Sequence, residues 1–484
     1  MRWSIISFLM IFCVSFAAGQ TDSVLQAKLK ERFSQSEFRY ANVSLSVIDI
    51  ESNTLVAGYR PKKVLVPASS LKLLTTLTGL HVLGSDFTFE TELYYSGTIR
   101  EDGTLDGDII LKGGGDPTLG SKKFENNLSF NALLSSIAQA IISSGINCIN
   151  GNLVMDESAY DSYPIAPSWQ WNDLGNYYAS GAWGININEN QYYIHFNNKT
   201  KIGARPKIKN IFPHVPKLDL SNEITIDSAG TGDQAYIFGG PYNYYKRIVG
   251  TIPQGSGTFS IKGSLPDPPS FMAYHLKKRL EKENISVLSS EIVFKPYKKK
   301  AKQSIKKYSS PTLDLIVTKA NEESNNLYTE SILKMIGLKK RSQGSGQNGI
   351  NILMKYLMKY GVSKDQVILR DGSGLSARNN ISSYAIAKFL AGVTTDIPRE
   401  ELLQYLPKAG YTGTVRSMLS RSSAKGHVWL KSGSMEAVQS YSGYIQTASG
   451  KWVSVSVIVN GFSAESSLIR SRLQKIIEDI YKLH

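Results

Sequence analysis

Ser69 and Lys72 stand three residues apart in the apolar stretch VPASSLKLLTTLTGL, residues 66–80. Pro67 suits the start of a helix, so Ser69 falls in the first turn and Lys72 projects from the same face one turn later. The amine is then within reach of the hydroxyl. Leu71, Leu73, Leu74, Leu77 and Leu80 surround it with hydrocarbon. Desolvation disfavours an ammonium and draws its pKa toward neutrality, so the neutral amine can take the serine proton. A helix start also leaves backbone N–H groups unpaired, and that of Ser69 could face a developing oxyanion. Spacing separates the two adjacent serines, because Ser69 and not Ser70 lies three residues before the lysine.

An S-x-x-K pattern is common by chance, and its weight comes from two companions. Ser324, Asn325 and Asn326 form an S-x-N ahead of an apolar helical run, which alone would read as a helix cap. Lys431, Ser432, Gly433 and Ser434 lie in WLKSGSM on a strand, which alone would read as an edge guarded by a lysine. There, small residues after the lysine leave the backbone open to a ligand. In this order, S-x-x-K, S-x-N and K-[ST]-G make the active-serine set of penicillin-recognising enzymes. No other set competes. The six histidines include no H-E-x-x-H and no pair at metal spacing, so neither metal nor cofactor is expected. RDGSGLSARNN carries G-S-G rather than a G-x-S-x-G elbow, and KGGGDPTL lacks the ending of a phosphate loop.

The elements that must position these residues come from both ends of the chain. ANVSLSVIDIESNTLVAGYR, residues 41–60, alternates about ESN as a hairpin does. HVWLKSGSMEA, VQSYSGYIQTASGKWVSVSVIVNG and ESSLIRSRLQKIIEDIYKLH read as strand, hairpin and terminal helix. Joined, they predict an α/β (α+β) fold with one antiparallel sheet flanked by helices. Between about Phe87 and Phe294 the texture turns β-rich, with many Gly, Asn and Tyr residues. Within it SFNALLSSIAQAIISSGINCINGNLVMD and SFMAYHLKKRLEKENISVLSSEIVF each read as helix, turn and strand, a repeated αβ unit.

Arg2, an apolar run from Ile5 to Phe16 and small residues at 17–19 read as a secretory signal peptide over residues 1–19. Cleavage removes Cys13 and leaves Cys148 as a single thiol, expected in packing rather than catalysis. The formal charge of +15 gathers in KIGARPKIKN and in KPYKKKAKQSIKKYSS, Lys295 to Ser310. Neither patch interleaves stacking aromatics with glycines, so no nucleic-acid partner is expected. Solvated charge on a loop or linker is the first reading, and peripheral contact with an anionic envelope surface the second.

The chain resembles the class C low-molecular-mass penicillin-binding proteins, the D-alanyl-D-alanine carboxypeptidase/endopeptidases. The likeness spans nearly the whole mature chain through VPASSLKLLTTLTGLHVLG, LKGGGDPTL, GNLVMDESAY, APSWQWNDLGNYY, ESNNLYTE, RDGSGLSARNNIS, YTGTVRSM and LKSGSMEAVQSYSGYI. It implies a penicillin-binding, β-lactamase-like domain made of residues 20–88 and 289–484, with two β-rich domains, residues 89–288, inserted after the nucleophile helix. It makes Ser69 the acylated nucleophile, Lys72 its base, and Ser324 the relay to the leaving amine. Asn326 would hold the substrate amide, and Lys431 would meet its terminal carboxylate or tune the relay. The N–H groups of Ser69 and Ser434 would form the oxyanion hole beside Ser432 and Gly433. Asp156 would meet the distant amine of diaminopimelate. Ser432 replaces the usual threonine, Tyr160 the common phenylalanine, and Arg378 stands one place later than the family's arginine.

The expected partners are peptidoglycan stem peptides and, as covalent inhibitors, β-lactam antibiotics, met in the periplasm or cell envelope. The reaction is removal of the terminal D-Ala, extended to D-alanyl crosslinks. A β-lactamase or esterase uses the same motifs but needs a dedicated deacylating carboxylate, which the sequence does not place. A non-catalytic peptidoglycan-binding protein would not need the full set of reactive side chains.

Overall fold

The computed structural model describes residues 22–288, 292–294, 296–297 and 302–484. The expected signal peptide lies outside them. Five strands form one antiparallel sheet: β1 (Asn42–Asp49), β2 (Thr54–Tyr59), β3 (Val428–Met435), β4 (Val438–Gln446) and β5 (Trp452–Asn460). Their order is β2-β1-β5-β4-β3, so the two ends of the chain meet where β1 pairs with β5. The helices that frame it are α1 (Ser23–Phe33), α2 (Lys72–Leu83), α3 (Asn326–Arg341), α4 (Ser383–Val393) and α5 (Ser466–Leu483).

Alternation along the strands assigns the two faces. Val43, Leu45 and Val47 of β1 and Val455, Val457 and Val459 of β5 pack with Leu25 and Leu29 of α1 and Ile469, Leu473 and Ile476 of α5. Burying such side chains contributes about 1.5–3 kcal/mol each. The opposite face carries Ser44, Ser46, Ser454 and Ser456, all buried. Small residues let α4 approach closely there, and the hydroxyls are satisfied across the contact: Ser44 Oγ reaches Ser383 Oγ at 2.7 Å and Ser454 Oγ donates to the Ala387 carbonyl at 2.8 Å.

α2 is buried from Lys72 to Gly79 and beyond and packs against α3. A β-carbon on Gly79 would lie 2.6 Å from Ile332, so glycine sets the distance between these two helices.

The segments that read as a repeated αβ unit lie side by side. Their helices, Phe130–Ser143 and Pro268–Lys282, stack Phe130 on Phe271 at 5.3 Å. Their strands pair in parallel, Ser286–Val287 with Cys148–Ile149 and Ile292–Phe294 with Leu153–Met155. A second β-rich part packs Gln191–Asn197 between Ile208–Phe212 and Thr258–Ser264, with Tyr245–Pro253 and three shorter strands beside it.

Within the basic run 295–310, of which residues 295 and 298–301 lie outside those described, Gln303–Ser309 departs from the loop or linker expected of it. Gln303–Ser309 is a strand antiparallel to Glu90–Tyr95. Tyr308 is buried in the core of the inserted part, Ile305 packs against that core, and the lysines between them face solvent. Two apolar anchors among seven residues outweigh the lysines, so this strand completes the insertion's sheet past residue 288.

Candidate active site

Ser69 lies in a single 3-10 turn, Ala68–Leu71, that runs into α2. Ala68 takes a left-handed backbone (φ 47°), unusual for a residue with a side chain, and its carbonyl is pressed on Gly374. A β-carbon on Gly374 would stand 2.0 Å from that oxygen, so this contact requires glycine. Lys72 has no exposed surface, and its Nζ donates to Ser69 Oγ at 3.0 Å, to Asn326 Oδ1 at 2.5 Å and to the Ser373 carbonyl at 2.7 Å. Burial lowers its pKa to about 7, against the opposing pull of the Asp371 and Glu330 carboxylates.

Ser70 points elsewhere. Its hydroxyl donates to the Pro67 carbonyl at 2.8 Å and meets Ser440 Oγ at 3.1 Å.

The division of labour within Ser324-Asn325-Asn326 follows from the helix start. Asn325 is the cap of α3, accepting from Tyr328 N at 3.1 Å, and this leaves Asn326 to face Lys72. The Asn326 amide nitrogen donates to the Tyr178 carbonyl at 2.7 Å, fixing its oxygen toward the lysine. Ser324 adopts φ 57° and its hydroxyl accepts from Lys431 Nζ at 3.0 Å. Lys431 also donates to the Ser432 carbonyl at 2.7 Å. Complete burial, and then the charge of Lys72, hold the Lys431 pKa well below that of a free lysine.

β3 ends the sheet order, and its outer edge runs beside the Ser69 turn. Gly433 makes the closest approach: a β-carbon there would lie 2.7 Å from the Pro67 carbonyl and 2.8 Å from Ser69 N. The Ser432 hydroxyl bonds Thr414 Oγ1 at 2.7 Å, and Ser434 is exposed at the mouth. A cavity of about 830 Å³ opens over this edge, bounded by Ser69, Ser324, Asn326 and Ser434 and, from the insertion, by Asp173, Tyr178 and Lys262. The three motifs, 362 residues apart from Ser69 to Lys431, therefore meet at one cavity.

Three sequence candidates lie apart from it. Asp156 is 2 % exposed, accepts from Ser158 N and Tyr297 N at 3.1 Å each, and does not line the cavity. Its carboxylate is committed to backbone amides. Arg378 is exposed, and Ala377 stands on the cavity wall in its place. Tyr160 is buried and donates to the Ser331 carbonyl at 2.8 Å.

Other groups, not singled out from the motifs, shape the site. Asp173 is the carboxylate that the insertion sets in the wall; burial raises its pKa, and Tyr178 donates to it at 3.2 Å. Asp371 gathers the loop 371–379, accepting from Gly374 N, Ser376 N and Asn379 Nδ2, and it binds the Trp169 indole at 2.8 Å. Glu330 accepts from Gly372 N and Ser373 N. Burial and the Asp371 charge push Glu330 up from the usual carboxylate range. Together these groups hold the Ser373 carbonyl on Lys72. RDGSG and APSWQWND contained the signal, but what joins them is a contact between domains.

The chain belongs to the D-Ala-D-Ala carboxypeptidase 3 (S13) family, whose profile matches residues 25–478. It is 25 % identical over 449 residues to the D-alanyl-D-alanine carboxypeptidase DacB of Haemophilus influenzae, covering 91 % of this chain and 90 % of that one. The crystal structure of penicillin binding protein 4 (dacB) from Haemophilus influenzae shares the fold with a TM-score of 0.81 at 23 % identity, over 94 % of this chain and 99 % of that one. The same protein complexed with a novel β-lactam matches with a TM-score of 0.76 at 22 % identity, over the same shares.

Proposed function

We propose that this serine-type D-Ala-D-Ala carboxypeptidase works through an acyl-enzyme at Ser69, with peptidoglycan stem peptides as substrates. Neutral Lys72 takes the Ser69 proton as Oγ attacks the carbonyl of the penultimate D-Ala. The N–H groups of Ser69 and Ser434 receive the oxyanion, held in register by the close passage of Gly433. The C–N bond breaks, the leaving D-Ala takes a proton from Ser324, and Lys431 restores it. Water then hydrolyses the ester: its hydroxyl joins the acyl carbon, its proton passes through Ser324 to replace the one Lys431 gave, and Lys72 returns its proton to Ser69 Oγ as the ester C–O bond breaks. Val428 and Leu430 at the start of β3 are bonded to Ala409 and Pro407, and the edge beyond them, at Ser432–Ser434, suits an extended substrate backbone laid beside it as an added strand. The Ser432 and Thr414 hydroxyls, 2.7 Å apart beside the cavity edge, are proposed to receive the terminal carboxylate, whose charge would favour the ammonium form of the buried Lys431.

The observation that carries this reading is the Lys72 amine, wholly buried and 3.0 Å from the one serine hydroxyl of its turn that faces the cavity. A D-alanyl crosslink differs from the terminal dipeptide only in its leaving amine, and a cavity of about 830 Å³ leaves room for it. DD-endopeptidase action at the same site is therefore included. β-Lactams, whose strained amide presents the same carbonyl, would be trapped as stable acyl-enzymes. Asp173 rather than Asp156 is proposed to meet a basic group on the stem, because it is Asp173 that stands in the wall.

We further propose that the acyl-transfer domain is made of residues 20–88 and 310–484, and that the insertion is 89–288 together with the strands Ile292–Phe294 and Gln303–Ser309, which pair with its sheet. Secretion across the inner membrane is inferred from residues 1–19. Among the described residues no helix is long and apolar enough to cross a membrane. Incubation with purified muropeptides tests the function: D-Ala release and loss of crosslinked dimers are expected, and absence of both refutes it.

A further inference from the structure

A second groove, of about 270 Å³, lies beside the catalytic cavity on the inserted domain and shares Tyr177, Tyr178, Tyr236 and Lys262 with it. Aromatic rings crowd this region. Tyr177 is 43 % and Tyr236 45 % exposed, while Trp171, 59 % exposed, tilts against Phe238 at 6.2 Å. Exposed rings gathered on one edge of a domain mark a contact surface. Lys262 lies 5.2 Å from the Tyr177 ring centre and 5.6 Å from that of Tyr193, so its cation and the rings hold one another in place. The strand Gln234–Phe238, which presents Tyr236, is anchored from below by buried Ile237, whose N–H donates to Asn176 Oδ1 at 3.1 Å. Asp233 and Gln234 add polar groups at the groove's side.

We propose that this groove is a saccharide subsite that takes the amino sugar to which the stem peptide is attached. A pyranose ring has an apolar face whose C–H hydrogens carry partial positive charge and stack on the negative face of an aromatic ring. Its hydroxyl and N-acetyl groups find the amide, carboxylate and ammonium at the rim. The groove shares the wall Tyr177, Tyr178, Tyr236 and Lys262 with the cleft that ends at Ser69, so a stem that runs past Asp173 and over that wall would bring its sugar end there. The proposal rests on the carboxypeptidase reading given above for that cleft.

The test compares kcat/KM for D-Ala release from a free stem pentapeptide and from the same peptide carrying its N-acetylglucosaminyl-N-acetylmuramyl disaccharide. The wild type should prefer the sugar-bearing substrate roughly fivefold or more, Tyr236→Ala should bring the ratio close to one, and Tyr236→Phe should restore it. In parallel, calorimetric titration with the peptide-free disaccharide should detect binding to the wild type and none to Tyr236→Ala. A wild-type ratio near one, or a preference that survives in Tyr236→Ala, overturns the proposal. If neither substrate releases D-Ala, the carboxypeptidase reading fails instead, and the titration still decides the groove.

Discussion

The wholly buried Lys72 Nζ stands 3.0 Å from the Oγ of Ser69, which faces the cavity, and burial brings the lysine pKa down to about 7. The amine acts as a base only when neutral, so acylation should gain speed as pH rises through about 7. Below that value the rate should fall tenfold per pH unit. Stopped-flow acylation by a penicillin from pH 5 to 8 checks the sign, and a flat profile contradicts it.

Ser70 sits beside the nucleophile but its hydroxyl is bound to the Pro67 carbonyl and Ser440. Ser70→Ala should therefore cost about 1 kcal/mol of stability, measured by denaturant unfolding, and retain penicillin labelling. Loss of labelling in a folded Ser70→Ala protein would reassign the chemistry.

Gly433 leaves no room for a side chain between β3 and the Ser69 turn, since a β-carbon would meet Ser440 Oγ at 2.4 Å and Ser69 N at 2.8 Å. Gly433→Ala should push the strand away from Ser69. Displacing an oxyanion donor by even a fraction of an ångström should slow acylation roughly ten- to hundredfold, at about 1–3 kcal/mol of stability. Acylation kinetics beside a denaturation curve separate the two effects.

Asp173 lines the cavity, whereas Asp156 is occupied by the amides of Ser158 and Tyr297. Asp173→Asn should raise KM roughly tenfold for a stem peptide with a free side-chain amine, and little for its N-acetylated form. Asp156→Asn should leave that selectivity unchanged. Steady-state kinetics with the two peptides distinguish the carboxylates.

What the sequence disclosed follows how locally each feature is encoded. Ser69 and Lys72 are one turn apart, and the β1–β2 hairpin and terminal helix carry their own periodicity. Ser324 and Lys431 were legible because two short patterns followed the first in a fixed order. Which of Asp156 and Asp173 reaches the cavity was not, because that depends on how the insertion folds back over α3. Both lie near apolar residues and turns, and local pattern does not separate them. The strand Gln303–Ser309 was hidden by its lysines, which face solvent while Ile305 and Tyr308 hold it to the sheet. Likewise, the bond from Trp169 to Asp371 joins residues 202 positions apart.

The central claim is that the acyl group forms on Ser69. Mass spectrometry of peptides from penicillin-treated protein tests it most directly. One adduct of the penicillin mass on the peptide containing Ser69, absent from Ser69→Ala, is the predicted result. An adduct on any other serine, or one that persists in Ser69→Ala, would contradict the account.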